Sequence, residues 1–117
     1  MPYSRPANPG FILWFTGLPS SGKTSLGHAV ASALATVSPV QIVDGDELRA
    51  TISRDLDFSP ADRRLQCERA GYIARLLAHH GIVALVATIS PYRDAREQER
   101  IRTLSAGIPF IEVYLEA

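Results

Sequence analysis

The chain has 117 residues, of which 46% are hydrophobic and 21% charged, and its formal net charge is zero. This composition is typical of one globular domain with its own core, and the charge balance argues against a broad basic surface for nucleic acid. No stretch approaches the ~20 apolar residues of a membrane span, no signal-peptide pattern opens the chain, and the single cysteine cannot form an intrachain disulfide. We therefore expect a cytoplasmic protein without nucleic-acid or membrane partners.

Apolar runs and helical spacings alternate along the chain. Residues 1–10 carry three prolines and predict a flexible lead-in, which leaves residues 11–117 as one domain. Strands are predicted at 11–16, 40–43, 82–88 and 110–115, and helices at 23–36, from 46 to about 54, 60–80 and 94–105. The order β-α-β-α-α-β-α-β predicts an α/β fold, a three-layer sandwich in which helices cover both faces of a parallel sheet.

The two longer helices of the second half have predicted inward faces. In the helix at 60–80, which Ser59 caps and Pro60 begins, one stripe is formed by Leu65, Arg69, Ile73, Leu76, Leu77 and His80. In the helix at 94–105, Ile101 and Leu104 are the expected apolar contacts.

A glycine-rich segment with a P-loop pattern lies between the first strand and the first helix. It reads Gly17-Leu18-Pro19-Ser20-Ser21-Gly22-Lys23-Thr24, which matches G-x-x-x-x-G-K-[ST] in its required strand–helix context. Its backbone N–H groups would cradle phosphates at the positive end of the helix dipole. We expect Lys23 to reach the β- and γ-phosphates of ATP and the Thr24 hydroxyl to bind Mg²⁺. The alternative is a plain glycine-rich turn with an exposed lysine.

An acidic turn, Asp44-Gly45-Asp46, follows the second strand. Ligands of open α/β sheets bind at the carboxyl ends of the strands. A carboxylate there can order Mg²⁺ or accept the proton of an attacking hydroxyl. Asp46 is preferred for the catalytic and metal role and Asp44 for support. The alternative is an Asx turn with an N-cap for the next helix.

Arginines and two further side chains are candidates for ligand contact. The guanidinium fork suits phosphate and sulfate oxygens, and we expect two or three of a set of five to face the ligand, namely Arg49, Arg63, Arg69, Arg93 and Arg96. The alternative for any one of these arginines, taken alone, is a solvated surface residue that does not contact the ligand. Phe58 stacks on a purine or packs against the following helix, and Ser90 touches substrate or caps the next turn.

Several segments together resemble the adenylylsulfate kinase family. They are Trp14-Phe15-Thr16 with the P-loop, Val43-Asp44-Gly45-Asp46 with Arg49, Phe58-Ser59 with Asp62-Arg63, Ile89-Ser90-Pro91-Tyr92-Arg93, and Phe110-Ile111-Glu112-Val113-Tyr114. The family fold is that of the P-loop NTPases. Its members transfer the γ-phosphate of ATP to the 3′-hydroxyl of adenosine 5′-phosphosulfate (APS), and they are often dimers.

The resemblance implies specific roles. Lys23, Asp46 and Ser90 would be catalytic, with Ser90 at the family's phosphoserine position, and Mg²⁺ would lie at Thr24 and Asp46. The implied substrate-binding set is Asp44, Arg49, Phe58, Arg63, Gln66, Ile89, Ser90 and Arg93. Direct in-line transfer needs positioning and charge stabilisation but no covalent step.

The chain also departs from the family pattern. Glu47 stands where the family usually has asparagine, Gln66 replaces an asparagine that contacts substrate, and Glu68 reverses a charge. Family members continue past the last strand with a basic lid, a fifth strand and a helix, and a chain without them is expected to turn over slowly. The alternatives are a related P-loop kinase for another small hydroxyl substrate, or a truncated, catalytically inactive nucleotide-binding module.

Overall fold

The computed structural model describes residues 10–17 and 23–115, except for the side chains of residues 23–26 and 115. The elements are β1 (Ile12–Gly17), α1 (Lys23–Leu34), β2 (Val40–Asp44), α2 (Gly45–Ala50), α3 (Pro60–His79), β3 (Val83–Ala87), α4 (Arg93–Ser105) and β4 (Phe110–Leu115). The predicted order of strands and helices is confirmed. Two helices are shorter than predicted, because α1 ends at Leu34 and α2 at Ala50.

The four strands form one parallel sheet in the order β2-β3-β1-β4. Alternate residues of β1 point to opposite faces. Ile12 and Trp14 belong to the main core beside α3, whereas Phe15 lies against Gly27 of α1. Helices therefore cover both faces, and the predicted three-layer α/β sandwich of the P-loop NTPase class is confirmed.

Local sequence accounts for the start of α3. Ser59 caps the helix, since its hydroxyl accepts a hydrogen bond from the Asp62 N–H at 3.2 Å, and Pro60 occupies the first turn.

The first described residue, Gly10, is buried, and its backbone N–H donates a hydrogen bond to the Ala78 carbonyl of α3 at 3.0 Å. The rest of the predicted lead-in, residues 1–9, lies outside the described residues.

The predicted inward stripe of α3 is wrong. Leu76 is 48% exposed and His80 is exposed, and Ile73 and Leu77 only flank the core. The buried face lies one position away and consists of Gln66, Cys67, Ala70, Gly71, Ala74 and Ala78. Its small residues allow the helix axis to approach the sheet closely, so the bulky residues remain at the edges.

The predicted contacts of α4 are also wrong. Ile101 and Leu104 are 53% and 45% exposed, and the buried face consists of Ala95, Glu99 and Thr103. Glu99 is fully buried because Arg75 and Arg102 both bond its carboxylate at 2.8 Å. Pairing offsets much of the cost of burying the charge, so a polar residue is tolerated where periodicity predicts an apolar one. Among the described residues, no helix has the length and apolar character needed to cross a bilayer.

Candidate active site

The carboxyl ends of all four strands lie at one edge of the sheet, since the strands are parallel. Gly17, the first residue of the predicted phosphate loop, ends β1 at this edge. Leu18, Pro19, Ser20, Ser21 and Gly22 lie outside the described residues, and so do the side chains of Lys23 and Thr24, whose backbone begins α1. Their predicted contacts with ATP and Mg²⁺ stay predictions.

The acidic turn lies beside the end of β3. A Cβ on Gly45 would come within 2.6 Å of Thr88 Oγ1 and 3.1 Å of Thr88 Cα, so this approach requires glycine. Asp44 caps α2, because its Oδ2 accepts from the Glu47 N–H at 3.0 Å. Asp46 is exposed, and its carboxylate makes no hydrogen bond to a described residue. The turn therefore offers one carboxylate that is engaged and one that is available for chemistry.

Both aspartates line a cavity of about 470 Å³ between α1 and β2. The rim includes Glu47 and His28, and the floor is apolar, with Ile42 and Leu85 among its residues. Asp44 and Asp46 therefore face a cavity on the α1 side of the sheet, where Gly27, His28 and Ala31 line it.

A second cavity of about 410 Å³ lies at the ends of β1, β3 and β4. Three residues of the predicted substrate set, Arg63, Ile89 and Ser90, line it together with Gly17. The other lining residues are Thr16, Pro91, Arg96 and Tyr114. Two guanidinium groups and no carboxylate line this cavity among the described residues, so its electrostatic character suits an anion.

Ser90 is held in place at several atoms. Its Oγ accepts from Trp14 Nε1 and donates to the Thr88 carbonyl, both at 3.0 Å, and the side chain is buried. Its carbonyl accepts from Arg96 at 2.5 Å, and Arg96 in turn pairs with Glu112 of β4 at 2.8 Å. The wall of the cavity is thus anchored to β1 and to β4.

Phe58 is 62% exposed and lies between two arginines. The guanidinium carbons of Arg49 and Arg63 lie 4.3 and 5.7 Å from its ring centroid. Arg49 donates to the Asp57 carbonyl at 3.0 Å and Arg63 to the Phe58 carbonyl at 2.9 Å. The backbone N–H of Ser59 lowers the pKa of Asp57, which keeps this carboxylate ionised beside Arg49. The loop thus presents a fixed aromatic and cationic surface.

Two other arginines of the candidate set lie apart from this surface. Arg69 bonds Asp55 at 2.8 and 3.0 Å and the Ile52 carbonyl at 2.9 Å, so it organises the turn after α2. Arg93 begins α4 and lines a separate cavity with Tyr92 and Glu97. The structure does not bring Arg93 together with Arg63 and Ser90, and its role in substrate binding stays a prediction.

The sequence model of one family, described as "Adenylylsulphate kinase", matches residues 9–117. The chain belongs to the adenylylsulfate kinase family. An adenylyl-sulfate kinase of Myxococcus xanthus is 47% identical over 108 residues, which are 92% of this chain and 58% of that protein. The chain spans just over half the length of this and other curated members of the family.

Solved structures of family members superpose closely on the chain. The Mycobacterium tuberculosis APS kinase CysC, in complex with AMPPNP and APS, has a TM-score of 0.86 and 40% identity, over 92% of this chain and 62% of that one. A hexameric APS kinase from Thiobacillus denitrificans has a TM-score of 0.81 and 35% identity, over 92% of this chain and 22% of that one.

The residues that depart from the family pattern have defined partners. Gln66 is fully buried, and its Nε2 donates to the Gly45 carbonyl at 3.2 Å, while its Oε1 has no partner among the described residues. Glu68 pairs with Arg102 of α4 at 3.3 Å. Gln66 therefore lies beneath the acidic turn and outside both cavities described above, and its predicted substrate contact stays a prediction.

The sequence interpretation missed three residues around Ser90. Trp14 was placed in a buried strand and in a segment that resembles the family, but no partner was predicted for its indole N–H, although a buried indole N–H usually needs an acceptor. Arg96 was one candidate among five, and no signal singled it out. Thr16 was assigned to the end of β1 without a role.

Proposed function

We propose that the chain is an adenylyl-sulfate kinase that transfers the γ-phosphate of ATP to the 3′-hydroxyl of APS and yields 3′-phosphoadenosine 5′-phosphosulfate. The observation that carries the proposal is the cavity of about 410 Å³ that joins Gly17 to Arg63, Ile89 and Ser90. Membership of the family supports it, and so does a relative that is solved with AMPPNP and APS.

The donor side of the site would be the loop from Gly17 to Thr24. Its backbone N–H groups would hold the phosphates of ATP, with Lys23 on the β- and γ-phosphates. Thr24 and Asp46 would hold Mg²⁺, which neutralises charge on the phosphate oxygens. The exposed carboxylate of Asp46, unpaired among the described residues, fits this ion because Mg²⁺ takes oxygen ligands.

The acceptor side would be formed by the predicted substrate set. Phe58 would stack on the adenine, and its exposed ring, flanked by Arg49 and Arg63, suits a flat base next to anionic groups. Ile89 and Ser90 would form the opposite wall, with Asp44 supporting the turn. Gln66 and Arg93 belong to the same proposed set.

The transfer itself would be direct. The 3′-oxygen forms a bond to the γ-phosphorus while the bond from that phosphorus to the β,γ-bridging oxygen breaks, and ADP leaves with the electron pair. Asp46 would take the proton of the 3′-hydroxyl. Ser90 would orient substrate without becoming phosphorylated, since its hydroxyl already donates to the Thr88 carbonyl.

We also propose that the protein acts in the cytoplasm and assembles with copies of itself. The only cysteine is a free, buried thiol, which fits a reducing compartment. One relative is hexameric, and a homodimer remains the expected state for this chain.

The decisive experiment is to incubate the protein with ATP, Mg²⁺ and APS and to assay the 3′-phosphorylated product. A Lys23→Ala variant serves as the control and should remove the signal. Product formation that this substitution leaves unchanged would refute the mechanism. If the wild type binds ATP in calorimetry but forms no product, the chain is an inactive nucleotide-binding module. Phosphorylation of other hydroxyl compounds, but not of APS, would identify a related kinase.

A further inference from the structure

Thr16 presents a buried hydroxyl that lacks a partner among the described residues. The side chain lies at the end of β1 and is only 2% exposed. Its Oγ1 makes no hydrogen bond to any other described residue. A buried hydroxyl without a partner is unfavourable, so such a group calls for an explanation.

The position of Thr16 indicates where the missing partner would lie. Thr16 lines the cavity of about 410 Å³, as do Gly17 and Arg63. Its neighbour in the sheet register is Tyr114 of β4, which is 66% exposed and borders the same cavity. Thr16 therefore forms part of the wall of a ligand-sized space, while its Oγ1 is covered by protein and would reach a ligand by rotation about χ1.

Several other polar groups of this wall are already engaged. The Ser90 hydroxyl accepts from Trp14 and donates to the Thr88 carbonyl. Arg96 bonds the Ser90 carbonyl and Glu112. Arg63 uses its Nε for the Phe58 carbonyl, which leaves its terminal N–H groups without a hydrogen bond to a described residue. The side-chain donors of this cavity that bond no described residue are the Thr16 hydroxyl, the terminal N–H groups of Arg63, the second terminal nitrogen of Arg96 and the exposed Tyr114 hydroxyl, and Thr16 is the buried residue among them.

We propose that Thr16 Oγ1 donates a hydrogen bond to an anionic oxygen of the acceptor substrate, a phosphate or sulfate oxygen that Arg63 also contacts. The inference rests on the proposed function and adds a substrate-binding residue that neither the motifs nor the family resemblance assigned. A hydroxyl beside a guanidinium, in a cavity without a described carboxylate, recognises an anion better than a base edge.

The test compares Thr16→Val, which keeps the shape and removes the hydroxyl, with Thr16→Ser, which keeps the hydroxyl. Calorimetry measures binding of APS and of ATP, and urea unfolding measures stability. We expect Thr16→Val to weaken APS binding by about tenfold and to leave ATP binding unchanged, with stability equal to that of the wild type or higher because an unpaired buried hydroxyl is removed. Thr16→Ser should bind APS as the wild type does.

Two outcomes would overturn this inference and leave the proposed function standing. The first is APS binding that is equal in the wild type and Thr16→Val. The second is a Thr16→Val protein with lowered stability and weakened ATP binding, because the hydroxyl would then bond the protein's own phosphate loop. A wild type that binds ATP but not APS would instead overturn the proposed function, and this inference with it.

Discussion

The indole Nε1 of Trp14 donates a hydrogen bond of 3.0 Å to Oγ of Ser90, and this buried bond joins β1 to the loop after β3. The Ser90 hydroxyl in turn donates a hydrogen bond to the Thr88 carbonyl. The bond crosses the sheet edge at which the phosphate loop begins. A hydroxyl bonded on both sides is well placed to fix a wall and poorly placed to attack phosphorus.

We expect Ser90→Ala to lower stability by about 1–3 kcal/mol, because the Trp14 N–H would be left buried without an acceptor. Turnover of APS should fall by no more than about tenfold, since direct transfer needs no serine nucleophile. Urea unfolding and a product assay measure the two effects. Complete loss of turnover in a folded Ser90→Ala protein would support a phosphoserine intermediate and contradict the direct mechanism.

Substitutions of the two aspartates of the acidic turn should have different effects on turnover and on stability. Asp46→Asn changes an exposed side chain without a described partner, so stability should change by less than about 0.5 kcal/mol, whereas turnover should fall by roughly 10²–10⁴-fold. Asp44→Ala removes the cap of α2 and should cost about 0.5–2 kcal/mol of stability, with a smaller loss of turnover. If Asp44→Ala lowered turnover more than Asp46→Asn did, the proton acceptor would be Asp44 and not Asp46.

The sequence predicts the strands of this protein better than it predicts the inner faces of the helices. The largely buried strands β1 and β3 are continuous apolar runs, and the succession of strands and helices along the chain predicted the parallel sheet, whereas the order β2-β3-β1-β4 within the sheet was not predicted. The inner faces of α3 and α4 could not be predicted from apolar spacing, because they consist mainly of small residues together with the polar Gln66, Glu99 and Thr103. Burial of Glu99 depends on Arg75, which is distant in sequence, and no local pattern reports such a pair.

The candidate site shows the same limit. Motifs identified Asp46, Arg63 and Ser90 because residue type and spacing carry their chemistry. They could not show that Arg93 lines a different cavity, or that Trp14 and Arg96 hold Ser90 in place. Those relationships join β1, the loop after β3, α4 and β4, which are far apart in sequence and meet only in the folded chain.

Gly71 of α3 faces the buried carboxylate of Glu99. A Cβ at this position would lie 2.0 Å from Glu99 Oε1 and 2.8 Å from its Cδ. Glu99 cannot move aside without breaking its pairs with Arg75 and Arg102. We therefore expect Gly71→Ala to lower the free energy of unfolding by about 2–4 kcal/mol in urea denaturation.

Gly27 provides the matched control, since it also lies inside a helix. A Cβ there would meet the Phe15 ring at 3.6 Å, an ordinary contact. Gly27→Ala should therefore be neutral, or stabilise the protein by up to about 1 kcal/mol, through the helix propensity of alanine. Equal destabilisation by the two substitutions would show that the carboxylate of Glu99 is not the cause.

The thiol of Cys67 should be inert in the folded protein. The side chain is 1% exposed, and burial, with a smaller effect from the nearby carboxylate of Glu99, raises its pKa to about 12. At pH 8 a thiol with that pKa is ionised to only roughly one part in ten thousand, and the thiolate is the reactive form. Iodoacetamide should therefore label the native protein very slowly and the urea-unfolded protein quickly. Because the chain has one cysteine, mass spectrometry gives an unambiguous count.

The same raised pKa predicts a loss of stability in alkali. Below the ordinary thiol pKa of 9.0 both states keep the proton, so Cys67 adds no pH dependence there. Between pH 9.0 and about 12 the unfolded chain releases the proton while the folded chain retains it, so unfolding becomes more favourable as pH rises. Cys67→Ala should remove this contribution and flatten the stability profile across that interval. Rapid labelling of a native sample at pH 8, or an identical alkaline profile in the variant, would contradict the burial of this thiol.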